Sequence, residues 1–350
     1  MVEDTAAIVE RRDDAGGAGA PLLRVENLRT RFYTARGVVK AVEDVSFTVR
    51  KGETLGLLGE SGSGKSVTAL SLLRLVPQPA GRIVGGRIVF RGEDLLQMPE
   101  TGMRRIRGKQ ISMILQDPLT SLNPVFTVGD QVAEPLRVHN LAAGRIMERV
   151  LELLRQVRIP DADARVNAYP HQFSGGMRQR VVGAIAIASE PGLLIADEPT
   201  TSLDVTIQAQ YLRLLKELQR QSDLAIIFIT HDLGVAARVC DRVAVMYCGR
   251  IVEEGNVREL FESPAHPYTQ GLIRSLPRLD RREARLSSIP GQPPLLHDLP
   301  PGCPFAPRCP EATERCRRES PPEVRLSPTR RVSCWLHAGE PSPTGPSNGG

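Results

Sequence analysis

The octapeptide Gly59-Glu60-Ser61-Gly62-Ser63-Gly64-Lys65-Ser66 constrains the fold of this chain more than any other stretch. It fits the pattern G-x4-G-K-[ST] and falls between a strand-like run, "ETLGLLGE", and a segment with helical apolar spacing, "GKSVTALSLLRLV". A strand that turns into a helix through glycines can curl its backbone until successive N–H groups point at one place, at the positive end of the helix. Such a loop holds phosphate. Gly59, Ser61, Gly62, Ser63 and Gly64 would form the cradle, Lys65 would reach the β- and γ-phosphates of a nucleotide, and Ser66 would ligate Mg²⁺.

A nucleotide site also needs a carboxylate for the metal, delivered at the end of a buried strand. The stretch "LLIADEP", Leu193 to Pro199, supplies one: four apolar residues bury the strand, Asp197 ends it beside Mg²⁺, and Glu198 follows as a general base for water. A lone Asp-Glu pair is common at exposed strand ends. Beside a phosphate loop, the functional reading prevails.

Strand-like and helix-like segments alternate through "ISMILQDP", "LLIAD", "TIQAQYLRLLKELQRQ", "LAIIFIT" and "RVAVMYCGR", which argues for a parallel α/β sheet. Upstream, "LLRVENLRTRFYT" and "AVEDVSFTVR" read as an antiparallel flap, and residues 119–180 read as a helical insert between two strands. The apolar fraction of 41% and charged fraction of 24% are ordinary for a globular chain. No apolar run approaches the roughly 18 residues of a membrane span. The first twenty residues lack an apolar core segment, so a cytosolic protein with reduced thiols is expected. A net charge of +5, from 45 basic and 40 acidic residues, is too mild to mark a nucleic-acid partner.

Between the phosphate loop and the Asp-Glu pair lies "FSGGMRQR", Phe173 to Arg180, and here the chain resembles the ABC-type ATPases, whose signature is usually LSGGQ. Six motifs follow that family's order: Walker A at 59–66, a Q-loop glutamine at Gln116, the signature at 174–178, Walker B at 193–198, "SLD" at Ser202 to Asp204, and a switch histidine at His231. The resemblance implies a P-loop RecA-like α/β core, an antiparallel β flap and an α-helical subdomain at about 119–180. It implies that ATP lies between Walker A of one subunit and Ser174, Gly175 and Gly176 of a facing one. Asp204 would sit near that joint, and Gln116 would face Mg²⁺ and the γ-phosphate. Glu198 and His231 would serve hydrolysis, and Phe32 or Tyr33 would stack on adenine. Met177 and Phe173 depart from the usual signature, but they leave the three phosphate-facing residues in place.

Beyond the cassette, "SPAHPYTQGLIRSLP" and "PGCPFAPRCPEATERC" resemble the C-terminal extension of oligopeptide and dipeptide importer ATPases, a group that includes nickel importers. This implies ATP hydrolysis that powers peptide import at the cytoplasmic face of the membrane. The implied partners are two membrane-spanning permease subunits, a second ATPase subunit (a paralogue or a second copy) and an extracytoplasmic substrate-binding protein. A nickel importer, or a regulatory or nucleic-acid-associated ATPase, is the alternative. The domain reading is an arm at 1–20, the cassette at 21–261, an irregular accessory domain at 262–338 and a tail at 339–350.

The accessory segment carries Cys303, Cys309, Cys316 and Cys334, spaced C-x5-C-x6-C-x17-C. Four thiolates suit tetrahedral Zn²⁺, although the gaps exceed those of common zinc knuckles, and they suit an iron-sulfur cluster with tolerant spacing. The resemblance implies a 4Fe-4S cluster, with zinc and unliganded thiols as the alternatives, and a structural role for the metal-binding segment.

Overall fold

The computed structural model describes residues 20–116, 121–201, 203–276 and 288–338. The expected arm, save residue 20, the expected tail and Ser202 of "SLD" lie outside the described residues. The strands in chain order are β1 (Leu23–Thr34), β2 (Gly37–Val49), β3 (Thr54–Leu58), β4 (Gly81–Phe90), β5 (Glu93–Asp94) and β6 (Ile111–Ile114). They continue with β7 (Leu193–Asp197), β8 (Ala225–Thr230), β9 (Arg242–Tyr247), β10 (Arg250–Asn256), β11 (Glu323–Ser327) and β12 (Arg330–Ser333).

These strands form two sheets. A four-stranded antiparallel sheet has the order β2-β1-β4-β5, and an eight-stranded sheet has the order β11-β12-β10-β9-β3-β8-β7-β6. The centre of the larger sheet is parallel, and β3, β7 and β8 are buried along their whole length. That burial on both faces explains why they read as unbroken apolar runs. Leu55, Leu57, Ile195 and Ile227 face one core, shared with the smaller sheet and the helix Lys65–Leu72. Leu194, Ile226 and Phe228 face the other, shared with the inserted helices.

Among the described residues, four α-helices lie between β6 and β7: Val128–Val138, Ile146–Gln156, Ala162–Arg165 and Gly175–Ile187. The first starts where the Thr127 hydroxyl accepts the Asp130 N–H at 3.1 Å, a cap that satisfies one of the helix's unpaired donors. Gln131 fastens the turn before it, donating from Nε2 to the carbonyls of Asn123 at 2.9 Å and Phe126 at 3.1 Å.

The C-terminal segment differs from the irregular accessory domain that its composition suggests. Its hairpin, β11–β12, pairs antiparallel onto β10 and so extends the central sheet. Two adjacent carboxylates on β10 hold it. Glu253, fully buried, accepts from Arg330 at 2.8 Å and from the N–H groups of Ala265 and His266, each at 2.9 Å. Glu254 pairs with Arg331 of the hairpin and with Arg242 of β9. An Arg-rich stretch reads from sequence as a solvated surface; here two neighbouring arginines find buried partners about eighty residues upstream.

Candidate functional site

The register of the central sheet assembles the site. Leu58 lies opposite Thr230, and Asp197 opposite Ile229. The loop after β3, the Asp197-Glu198 pair after β7 and His231 after β8 therefore meet at the carboxyl edge of the parallel strands, where open α/β sheets bind ligands.

Within the loop, Gly64 has a φ of +103°, and a side chain there would collide with the Ala41 carbonyl; only glycine fits this turn. Lys65, 5% exposed, donates from Nζ to the carbonyls of Gly59 at 2.8 Å and Glu60 at 3.0 Å, and lies 3.4 Å from Ser63 Oγ. Burial pulls its ammonium below the usual lysine range, against Glu198, Asp197 and Glu60, which act to raise it. A desolvated cation at the start of a helix is well placed for phosphate.

Ser66 Oγ donates to Asp197 Oδ1 at 3.1 Å. Burial pushes the Asp197 carboxyl upward, the Ser66 hydrogen bond opposes this, and the Glu198 charge adds to it. A carboxylate and a hydroxyl side by side suit Mg²⁺, which takes one or two protein oxygens and completes its shell with phosphate and water.

Glu198 is gripped from three sides. Its Oε2 accepts from Gln116 Nε2 at 3.1 Å and from Thr201 Oγ1 at 3.0 Å, and its Oε1 lies 3.1 Å from His231 Nδ1. Burial acts to raise its pKa, but the hydrogen bonds from His231 and Thr201, with the charges of His231 and Lys65, outweigh it, and the carboxyl is held below its ordinary range. Glu198 also adopts a φ of +47°, a conformation uncommon for a non-glycine residue.

The signature residues begin a helix. Ser174 caps Gly175–Ile187, its hydroxyl accepting the Met177 N–H at 3.4 Å. Gly175 has open space where a side chain would stand, whereas a side chain on Gly176 would strike Ile207. Asp204 caps the helix Val205–Ser222, with Oδ1 accepting from Thr206 N at 3.1 Å and Ile207 N at 3.0 Å. In the smaller sheet, Tyr33 is exposed with the Arg82 guanidinium over its ring, and Phe32 is half-buried against the Gly81 turn.

Comparison with known proteins decides the family. The model of the ABC transporter family matches residues 42–201, and that of the oligopeptide/dipeptide transporter C-terminal region matches residues 252–316. The dipeptide transport ATP-binding protein DppD of Bacillus subtilis is 52% identical over 90% of this chain and 94% of its own length. The chain belongs to the ABC transporter family. The oligopeptide transport ATP-binding protein OppD of Salmonella typhimurium is 52% identical over 90% of this chain and 93% of its own, and that of Escherichia coli 49% over 95% and 96%. Among solved structures, cbiO1 from Clostridium perfringens, part of the transporter complex cbiONQ, aligns with a TM-score of 0.61 at 28% identity, covering 70% of this chain and 92% of that one. A dimeric ATP-binding cassette in a post-hydrolysis state, bound to ADP and Pi, aligns at 0.60 and 25%, covering 67% and 99%.

The four cysteines of the extension come together. Cys303, Cys309, Cys316 and Cys334 line one cavity of about 250 Å³, with Phe305 and Trp335 beside them. Gly302 lets the turn close, since a side chain there would strike the Cys316 carbonyl, which accepts the Cys303 N–H at 2.8 Å. Burial pushes the Cys303 thiol up to about 11 and raises Cys309 and Cys334 as well. Among the described residues, no group of three or more His, Cys, Asp or Glu side chains is arranged to hold a single metal ion.

Sequence reasoning missed Thr201, which shares Glu198 with Gln116, and it gave Glu60 no role. No spacing rule marks either: Glu60 occupies a free position of G-x4-G-K-[ST], and Thr201 is one of two adjacent threonines after Walker B.

Proposed function

We propose that this chain is the ATP-hydrolysing subunit of a peptide importer, acting at the cytoplasmic face of the membrane. It would work with a membrane-spanning pair, a second ATPase subunit and an external peptide-binding protein. The observation that carries the reading is Glu198, an ionised carboxylate fixed by Gln116, Thr201 and His231 beside the Asp197–Ser66 pair at the mouth of the phosphate loop. Peptide as cargo is supported by the relatives named as dipeptide and oligopeptide transport proteins and by the match of the C-terminal region.

In this reading Gly59 to Gly64 cradle the phosphates through backbone N–H groups, and Lys65 binds the β- and γ-phosphates. Ser66 and Asp197 would hold Mg²⁺, which would supply positive charge against those phosphates, and Phe32 or Tyr33 would stack on adenine. Glu198 accepts a proton from the attacking water, while His231 and Gln116 orient that carboxylate and its water. Ser174, Gly175 and Gly176 of a facing subunit close over the γ-phosphate with a second helix N-terminus. The test is reconstitution with the permease pair in vesicles. ATP hydrolysis should rise when peptide-loaded binding protein is supplied; stimulation by nickel alone would overturn the choice of cargo.

Were the extension to carry a 4Fe-4S cluster, or Zn²⁺ as the alternative, Cys303, Cys309, Cys316 and Cys334, which line one cavity, are the residues that would hold it. A lone Zn²⁺ at 2.3 Å from each sulfur would draw four thiolates to about 3.8 Å of one another. Because raised thiols must lose protons to bind metal, loading should weaken as pH falls. Protein purified under anaerobic conditions should contain iron and absorb broadly near about 400 nm. Zinc without iron would point to the alternative ion, and neither metal to free thiols.

A further inference from the structure

The extension reaches the nucleotide site through one arginine. Arg308 sits in the turn Ala306–Arg308, between Cys303 and Cys309, with its side chain 4% exposed. Its guanidinium donates from Nη1 to Glu60 Oε2 at 2.7 Å and from Nη2 to Glu60 Oε1 at 3.0 Å, a two-pronged pair. Nε donates to the Pro290 carbonyl at 3.0 Å, and the plane lies over the rings of Tyr247 and Phe305. The fork is thus fixed before it meets its carboxylate.

Glu60 is the second residue of the phosphate loop, and the extension holds it twice. Its carboxylate goes to Arg308, and its N–H goes to the hydroxyl of Tyr268 at 2.9 Å, on the helix Pro267–Arg274. Its carbonyl is held by the loop itself, through Lys65 Nζ at 3.0 Å and the Ser63 N–H at 3.2 Å. A phosphate that draws the Lys65 ammonium to itself takes one of those two internal ties away and leaves the Ser63 N–H. Arg308 and Tyr268 then carry, from outside the loop, most of what keeps the Glu60 peptide in the turn the cradle needs.

We propose that Arg308 is a positioning residue for nucleotide binding, acting through Glu60, so that the cysteine-bearing extension sets the shape of the phosphate loop. The inference rests on the reading of that loop as the ATP cradle. It does not require any particular metal at the thiols. A plain structural tie would alter folding stability without altering nucleotide affinity; a positioning tie alters affinity in a folded protein.

The experiment titrates the full-length chain with Mg²⁺ and fluorescently labelled ATP, alongside thermal melting and the emission of the single tryptophan, Trp335. Arg308→Gln and Glu60→Gln should each weaken binding by roughly tenfold, as expected for loss of a charge-assisted pair. Arg308→Lys, which keeps the charge but not the fork, should fall between. The double variant should be no weaker than either single one, because both remove the same interaction. Arg308→Gln with wild-type affinity, or a double variant weakened by roughly a hundredfold through simple addition, would overturn the proposal. Should Arg308→Gln fail to fold, Glu60→Gln decides alone, and wild-type affinity in it overturns the proposal. A wild-type chain that binds no ATP would instead overturn the reading of the loop.

Discussion

Glu198→Gln should lower ATP turnover by about 10²–10⁴-fold, the usual worth of a positioned general base, while leaving ATP binding within about threefold of wild type. Glutamine keeps the length of the side chain and can still meet Gln116 and Thr201, but its amide cannot take a proton from water. The phosphate cradle and the Ser66–Asp197 pair are separate groups and stay intact. Nucleotide should therefore bind and remain uncleaved, and ATP-loaded dimers should accumulate. Single-turnover kinetics with a dimer assay checks this. A variant that keeps more than about a tenth of wild-type turnover would remove Glu198 from the role of base.

Glu253→Ala, on the cassette side, should be the single change that most loosens the extension. The carboxylate is fully buried and takes Arg330 together with two backbone N–H groups. Its removal leaves a mostly buried guanidinium, 12% exposed, with the Ser263 carbonyl but no carboxylate, and two buried backbone donors without their acceptor. Breaking a buried charge pair from one side costs about 3–5 kcal/mol, which corresponds to a fall of roughly 10 °C in melting temperature. The segment Pro264 to Tyr268 should loosen first, since Glu253 fixes it. A melting temperature within about 2 °C of wild type would mean that the hairpin and its neighbours hold without this carboxylate.

The parts legible in the sequence were those with local patterns. Gly59 to Ser66 needs a strand before it and a helix after it, and both are adjacent in the chain. The buried strands β7 and β8 declare themselves by apolar runs, because parallel strands covered on both faces have no polar side to show. The pairs that join the extension to the cassette had no such mark. Arg308 meets Glu60 across 248 positions, and Arg330 meets Glu253 across 77. In sequence these are ordinary charged residues in a Pro- and Arg-dense stretch, and only the fold turns them inward. The cysteines fall between the two cases. Their spacing raised the expectation of a ligand set, yet the described residues show only a shared cavity and no metal-holding group, and the link from their turn to the phosphate loop became visible only once Arg308 was placed.

The hairpin β11–β12 has a consequence for how the molecule behaves among other molecules. Without it, β10 would end the sheet, presenting a row of free backbone donors and acceptors that another chain could extend. The hairpin covers that row and puts a different strand at the border. β11 is short and largely exposed, and it carries Glu323 and Arg325 in alternation. Charged, brief borders discourage strand-by-strand joining. The extension also serves as a selvedge: it keeps the sheet from being sewn to the wrong cloth.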